Sequence, residues 1–125
     1  MPPLVADDKE TLFLWEDILR DPRLHYFVGL LGNRIVSSCF LVIIPNFARG
    51  GRPYGLIENV ITHQAYRKKG YGASLLKHAL NVAWKNDCFQ VMLLTGNINE
   101  KVFRFYEKIG FKRGIKEGFV ALPQE

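Results

Sequence analysis

Cysteine is scarce in this 125-residue chain: Cys39 and Cys88 are the only two, and no CxxC pair occurs. The three histidines, His25, His63 and His78, have no metal-ligand spacing, so a metal centre is not expected. Each cysteine lies in an apolar, strand-like run without a histidine or cation beside it. Both are expected as buried free thiols, neither bridged nor nucleophilic. Long apolar runs are also missing, and the most apolar, residues 40–44, falls far short of the roughly 20 residues that span a bilayer. The N-terminal MPPLVADDKE is acidic, with neither a basic region nor an apolar signal core, and a cytoplasmic protein without a membrane partner is expected. Repeats and linkers are absent. With 48% apolar and 23% charged residues, positions 1–125 read as a single globular domain.

Seventeen basic against twelve acidic side chains leave a net charge of +5. Such an excess fits a nucleic acid, a polyanionic small molecule or solubility alone. The cations are not spread evenly, because Arg67, Lys68 and Lys69 form a knot. A knot favours one phosphate-rich ligand over an extended duplex, so a nucleic-acid partner is not expected.

Residues 7–20 carry Leu12, Trp15, Ile18 and Leu19 at helical spacing, with Asp7 or Asp8 to cap them and Asp21-Pro22 to stop them. Two β-rich runs, 25–31 and 34–44, flank Gly32-Asn33, a strong hairpin signal. Residues 45–53 form a loop and 56–62 a third strand. An amphipathic helix over 73–85 precedes an apolar strand over 89–95. A further helix over 99–109 stops at Gly110, and short strands at 111–115 and 119–122 pair around Gly118. The order α-β-β-β-α-β-α-β-β predicts an α/β (α+β) domain: a mixed sheet flanked by helices, with a right-handed crossover over 56–95.

YRKKGYGA, residues 66–73, sits where the third strand gives way to a helix. Glycines there let the backbone approach a ligand, and the helix start offers unpaired N–H groups and a positive dipole end. Alone, the segment reads equally as a phosphate cradle or as a solvated basic turn. It is not a P-loop, since GxxxxGK[ST] does not occur. Nor is it a dinucleotide fingerprint, whose third glycine falls on Leu75 and whose acidic residue, Asp87, falls in a turn.

A second motif, NEKVFRFYEKIGF at 99–111, decides between the two. Arg67-Lys68-Lys69-Gly70-Tyr71-Gly72 followed by this helix resembles the GCN5-related N-acetyltransferase (GNAT) superfamily: its R/Q-x-x-G-x-G/A loop and its later N-x-x-x-x-x-x-Y-E-K-x-G-F helix. IENVITHQAYR, ahead of the loop, also resembles that family's fourth strand. The resemblance spans residues 25–122 and implies a mostly antiparallel sheet of that type. One departure is that a single helix precedes the hairpin, so the family's usual first strand is not expected here. An open acceptor site, completion by a partner chain or a reduced domain would follow, and the exposed sheet edge is a candidate homodimer surface.

The resemblance implies acetyl-CoA as donor and a primary amine, on a small molecule or a protein, attacking directly in a ternary complex. A non-catalytic acyl-CoA-binding module is the alternative. The N–H groups from Lys68 through Lys69, Gly70, Tyr71 and Gly72 to Ala73 would seat the pyrophosphate, with Arg67, Lys68 and Lys69 offsetting its charge. Val60, Ile61 and Thr62 would run beside the pantetheine arm as in β-augmentation, and Asn99 would bond or stand near its amide. Tyr106 is the candidate acid for the departing thiolate, a phenol near 10 facing a thiol of roughly 8 to 9. Glu58, among apolar strand neighbours that would shelter it, is the candidate base, with His63 the weaker one. Phe13, Trp15, Tyr26, Phe47 and Trp84 read as core or loop aromatics, although Phe47 and Tyr54 also fit the mouth of an acceptor site.

Overall fold

A computed structural model describes residues 9–124. Helix α1 (Lys9–Arg20) leads into strands β1 (Leu24–Leu31), β2 (Arg34–Ile44) and β3 (Tyr54–Thr62), then α2 (Tyr71–Lys85), β4 (Val91–Leu93) and α3 (Glu100–Ile109). The sheet order is β1-β2-β3-β4; the first two pairings are antiparallel and β3 runs parallel to β4. The hairpin is the one the sequence predicts, with Gly32 at φ 62° in the first position of a two-residue turn. The caps expected at Asp7 or Asp8 lie outside the described residues. Among the described residues, no strand precedes β1 and no helix is long and apolar enough to cross a membrane.

Strand alternation divides the sheet into two faces. One carries Phe27, Cys39, Leu41, Ile43 and Ile57, paired in register as Phe27 with Cys39 and Leu41 with Ile57. Helix α2 covers it with the buried Leu76, Ala79 and Ala83, the alanines permitting close approach. This is the core, and truncating Leu41, which is wholly buried, would cost about 2–5 kcal/mol. The opposite face carries Tyr26, Phe40, Val42, Leu56 and Glu58. Helix α1 touches it through Trp15, at 5.3 Å from Tyr26, whose ring stacks on Phe40 at 4.5 Å. No residue of α1 is buried, so much of this second face stays open.

Three expectations change. Helix α2 begins at Tyr71, two residues inside the glycine segment. The strand expected over 89–95 shortens to Val91–Leu93, because Thr95 Oγ1 accepts from the Asn97 N–H at 3.1 Å and turns the chain away, leaving Leu94 exposed. The strand pair expected at 111–115 and 119–122 does not form. A strand exists through its ladder, and β4 is too short to offer one; Phe119, Val120 and Leu122 stay exposed.

Cys39 and Cys88 are both buried and unbridged, although Cys88 sits in the turn after α2 and not in a strand. Burial pushes the Cys39 thiol up to about 11. The raised value favours the protonated thiol in the fold, so its stabilising contribution is complete below about pH 9 and fades as pH climbs towards 11. Iodoacetamide at pH 8 should therefore spare Cys39 in native protein and label it only after denaturation; prompt native labelling would contradict this packing.

Candidate functional site

At the end of β3 the chain makes a single 3-10 turn, Gln64–Tyr66, opened by His63, whose Nδ1 accepts from the Ala65 N–H at 3.2 Å. Arg67 then folds back, donating from Nε to the Thr62 carbonyl at 3.1 Å. Lys68 at φ 64° and Gly70 at φ 85° turn the backbone twice in the left-handed region before α2 starts. Gly70 is the N-cap and offers no side chain; the first helical bond runs from the Ser74 N–H to the Gly70 carbonyl at 3.0 Å. The N–H groups of residues 68–73 consequently have no acceptor among the described residues. They sit at the positive end of a fifteen-residue helix, an arrangement suited to an anion.

The surroundings carry the same charge. The Lys69 ammonium lies 5.9 Å from the Tyr66 ring, and Arg34, across the sheet, donates to Tyr66 Oη at 3.0 Å. Arg34, Arg67, Lys68 and Lys69 form no ion pair among the described residues. Arg34 was invisible to the sequence as a neighbour of this loop, since it lies 32 residues away and arrives through the β2–β3 register.

Beside the loop the sheet opens into a fork. Strands β3 and β4 pair only from Gly55 with Val91 to Ile57 with Leu93, after which β3 continues alone to Thr62. Opposite, the β2–β3 register skips from Ser38–Ile61 to Phe40–Glu58, a bulge with Asn59 at φ 55°. The His63 N–H donates to the Val36 carbonyl at 2.7 Å. Alternation then turns the backbone groups of Thr62 and Val60 away from β2 and into the fork, and those of Ile61 towards β2. Of the three residues singled out on this strand, the structure brings Val60 and Thr62 to the opening.

Gly72 closes the joint between loop and fork. It is buried, and a Cβ there would meet Thr62 Oγ1 at 2.8 Å and Phe105 Cζ at 3.5 Å. With no side chain at position 72, the first turn of α2 rests on the end of β3 without displacing Thr62.

Asn99 caps α3, its Oδ1 accepting from the Lys101 N–H at 2.8 Å. Tyr106 projects from α3 against the core between Phe105, at 5.1 Å, and Phe111, at 6.0 Å. Its hydroxyl has no hydrogen-bond partner among the described residues, and burial pushes the phenol above its usual value of 10. Glu58 is on the opposite face, level with Phe40, and is exposed instead of sheltered. Next to it Asn59 Nδ2 donates to Tyr26 Oη at 3.3 Å. The Tyr106 phenol and the Glu58 carboxylate thus belong to opposite faces of the sheet. His63 lies beyond Thr62 at the loop end with Nδ1 engaged, and Phe47 is fully exposed. Sequence reasoning missed Asn59 and took Tyr26 for core; a bulge depends on register, which no local pattern reveals.

The profile of the Acetyltransferase (GNAT) family matches residues 2–111. This chain belongs to that family. It is 40% identical over 80 residues to the glucosamine 6-phosphate N-acetyltransferase of Trypanosoma brucei brucei, covering 64% of this chain and 52% of that protein. To N-alpha-acetyltransferase 30 of Xenopus laevis it is 36% identical over 89 residues, covering 70% and 31% respectively. The chain therefore spans about half or less of the length of these relatives. Its fold superposes on a putative acetyltransferase from Agrobacterium tumefaciens str. C58 with a TM-score of 0.89 at 36% identity, covering 98% of this chain and 83% of that one.

The GNAT loop here depends on a contact that can be tested. Gly72→Ala should lower stability by about 1–3 kcal/mol in urea unfolding, through crowding against Thr62. The same substitution in a Thr62→Ala background should cost measurably less, and equal costs in both backgrounds would show that the contact is not what excludes a side chain.

Proposed function

We infer that this GNAT chain, acting as one catalytic domain over residues 1–125, is an acetyl-CoA-dependent N-acetyltransferase for primary amines. The observation that carries the reading is the run of unpaired N–H groups at 68–73, set at the open end of a sheet fork and ringed by unpaired cations. A pyrophosphate fits that cradle: glycine backbone at Gly70 and Gly72, the dipole of α2, and Arg67, Lys68 and Lys69 nearby. The lone edge of β3 suits an extended arm bearing amides, which Val60 and Thr62 would bond as a neighbouring strand does. The carboxamide of Asn99 stands at the start of the helix that carries Tyr106.

Bound acetyl-CoA supplies the electrophile, an acetyl thioester. The chain's own groups handle the protons. Glu58, on the open face where an amine arrives, accepts the proton the amine gives up as its nitrogen bonds the acyl carbon. Tyr106 Oη, kept protonated by burial, gives its proton to sulfur as the carbon–sulfur bond breaks. The amine and the leaving group are thus served from opposite faces of the sheet.

The relatives' names point to glucosamine 6-phosphate and to protein N-termini as acceptors, and both are primary amines. The cytoplasm, where two buried thiols stay reduced, is the proposed location. The outer edge of β1, unpaired among the described residues, is the edge a second copy would use.

Thiol release from acetyl-CoA with a panel including glucosamine 6-phosphate and free-N-terminus peptides tests the reading, and CoA binding without turnover of any amine would contradict it. Tyr106→Phe should lower kcat by about 100-fold while leaving CoA affinity within about twofold. Because burial raises this phenol, the alkaline loss of wild-type kcat that it governs should fall above pH 10. Unchanged kcat in the variant would remove Tyr106 from the proton transfer.

A further inference from the structure

Along the open face, a second feature lies at the far end of β3 from the loop. Tyr54, Leu56 and Glu58 share that face by alternation, with Met92 of β4 beside Leu56 in the parallel register and Gln90 just ahead of β4. A hollow of about 320 Å³ opens over Tyr54, Gln90 and Met92. Two cations close it: Arg49, whose guanidinium lies 5.2 Å from the Phe89 ring, and Lys116, brought by the segment after α3. Neither has a carboxylate partner among the described residues, whereas the nearby Arg52 is paired with Asp87 at 3.2 Å. No acidic residue lines the hollow; Glu117 follows Lys116 in sequence but is not part of the wall. An aromatic floor with two uncompensated cations at its rim is built for an anionic group on a partly apolar ligand.

Its position makes it more than a surface patch. Glu58 lies four residue steps along the strand from Tyr54, about 13 Å at the rise of an extended chain. The face therefore presents a carboxylate near the fork and two cations at the other end, with Leu56 and Met92 side by side between them.

We propose that Arg49 and Lys116 form an anion subsite for the acceptor, and that the acceptor is an elongated amine carrying an anionic group about 10 Å or more from its reactive nitrogen. This rests on the inferred approach of the amine to the Glu58 face. Acceptors of that shape include a short extended peptide with an acidic residue near its fourth position, and a phosphorylated amine of comparable length. A free amino acid, whose amine and carboxylate are adjacent, spans too little of this face to use both ends.

Two amine pairs test it: a pentapeptide with a free N-terminus and glutamate at position four against its glutamine counterpart, and glucosamine 6-phosphate against glucosamine. Binding is measured by calorimetry without acetyl-CoA, in wild type and in the Arg49→Gln/Lys116→Gln double variant. Wild type should prefer the acidic peptide by about tenfold, and the double variant should lose that preference. The same variant-sensitive preference for the phosphosugar alone, whose phosphate lies closer to its amine than the proposed span, would overturn the elongated-acceptor reading. Equal affinities within both pairs in wild type, or a preference that survives the double substitution, would overturn the proposal. Thiol release with the uncharged counterparts reports separately on acetyl transfer, so failure of the subsite and failure of the enzymatic reading give different results.

Discussion

The contact between Gly72 and Thr62 governs the rest of the structure. Strand β3 must end, turn and become a helix within nine residues, with the first helical turn lying on the strand end. A side chain at position 72 would meet Thr62 Oγ1 at 2.8 Å, so glycine allows that joint without displacing the threonine. Because the joint is tight, the N–H groups at the start of α2 are held beside the strand edge and aimed at one place. Their lack of partners is a cost to the fold, and it is the feature a bound anion would relieve. The lysines that make the segment conspicuous in sequence lie around this backbone cradle. Their charge would offset a bound anion's without shaping its seat.

The second determinant is the early end of β4. Pairing that stops at Ile57 and Leu93 leaves β3 with an unpaired edge and opens the sheet between its two faces. The covered face brings Tyr106 from α3, with burial keeping its phenol protonated. The open face, only partly screened by α1, presents Glu58, Asn59, Tyr26 and the aromatic hollow beyond. The sheet itself lies between the Tyr106 phenol and the Glu58 carboxylate, the two groups proposed to move protons in opposite directions.

Much of this was legible because the signals are local. The Gly32 hairpin, the helical spacing in α2 and α3 and the glycine loop each rest on neighbouring residues, and two linked motifs placed the chain in its family. What escaped depends on register. The bulge at Asn59 arises from pairing with β2, Arg34 reaches Tyr66 only across the hairpin, and Glu58 is exposed because alternation puts it on the uncovered face. The C-terminal strand pair was inferred from β-prone residues around Gly118, but propensity makes no strand without a ladder to join. Asn99, which its motif implies as a ligand contact, caps α3 through its Oδ1 in the structure.

The central claim is that backbone amides at the start of α2 form the anion seat. Amide-resolved NMR during a CoA titration tests it most directly. The account predicts that the N–H resonances of residues 68–73, proline-free and unpartnered in the structure, shift most and gain protection from hydrogen exchange as CoA saturates. Saturable CoA binding with these amides unmoved, and the largest shifts elsewhere in the chain, would contradict it.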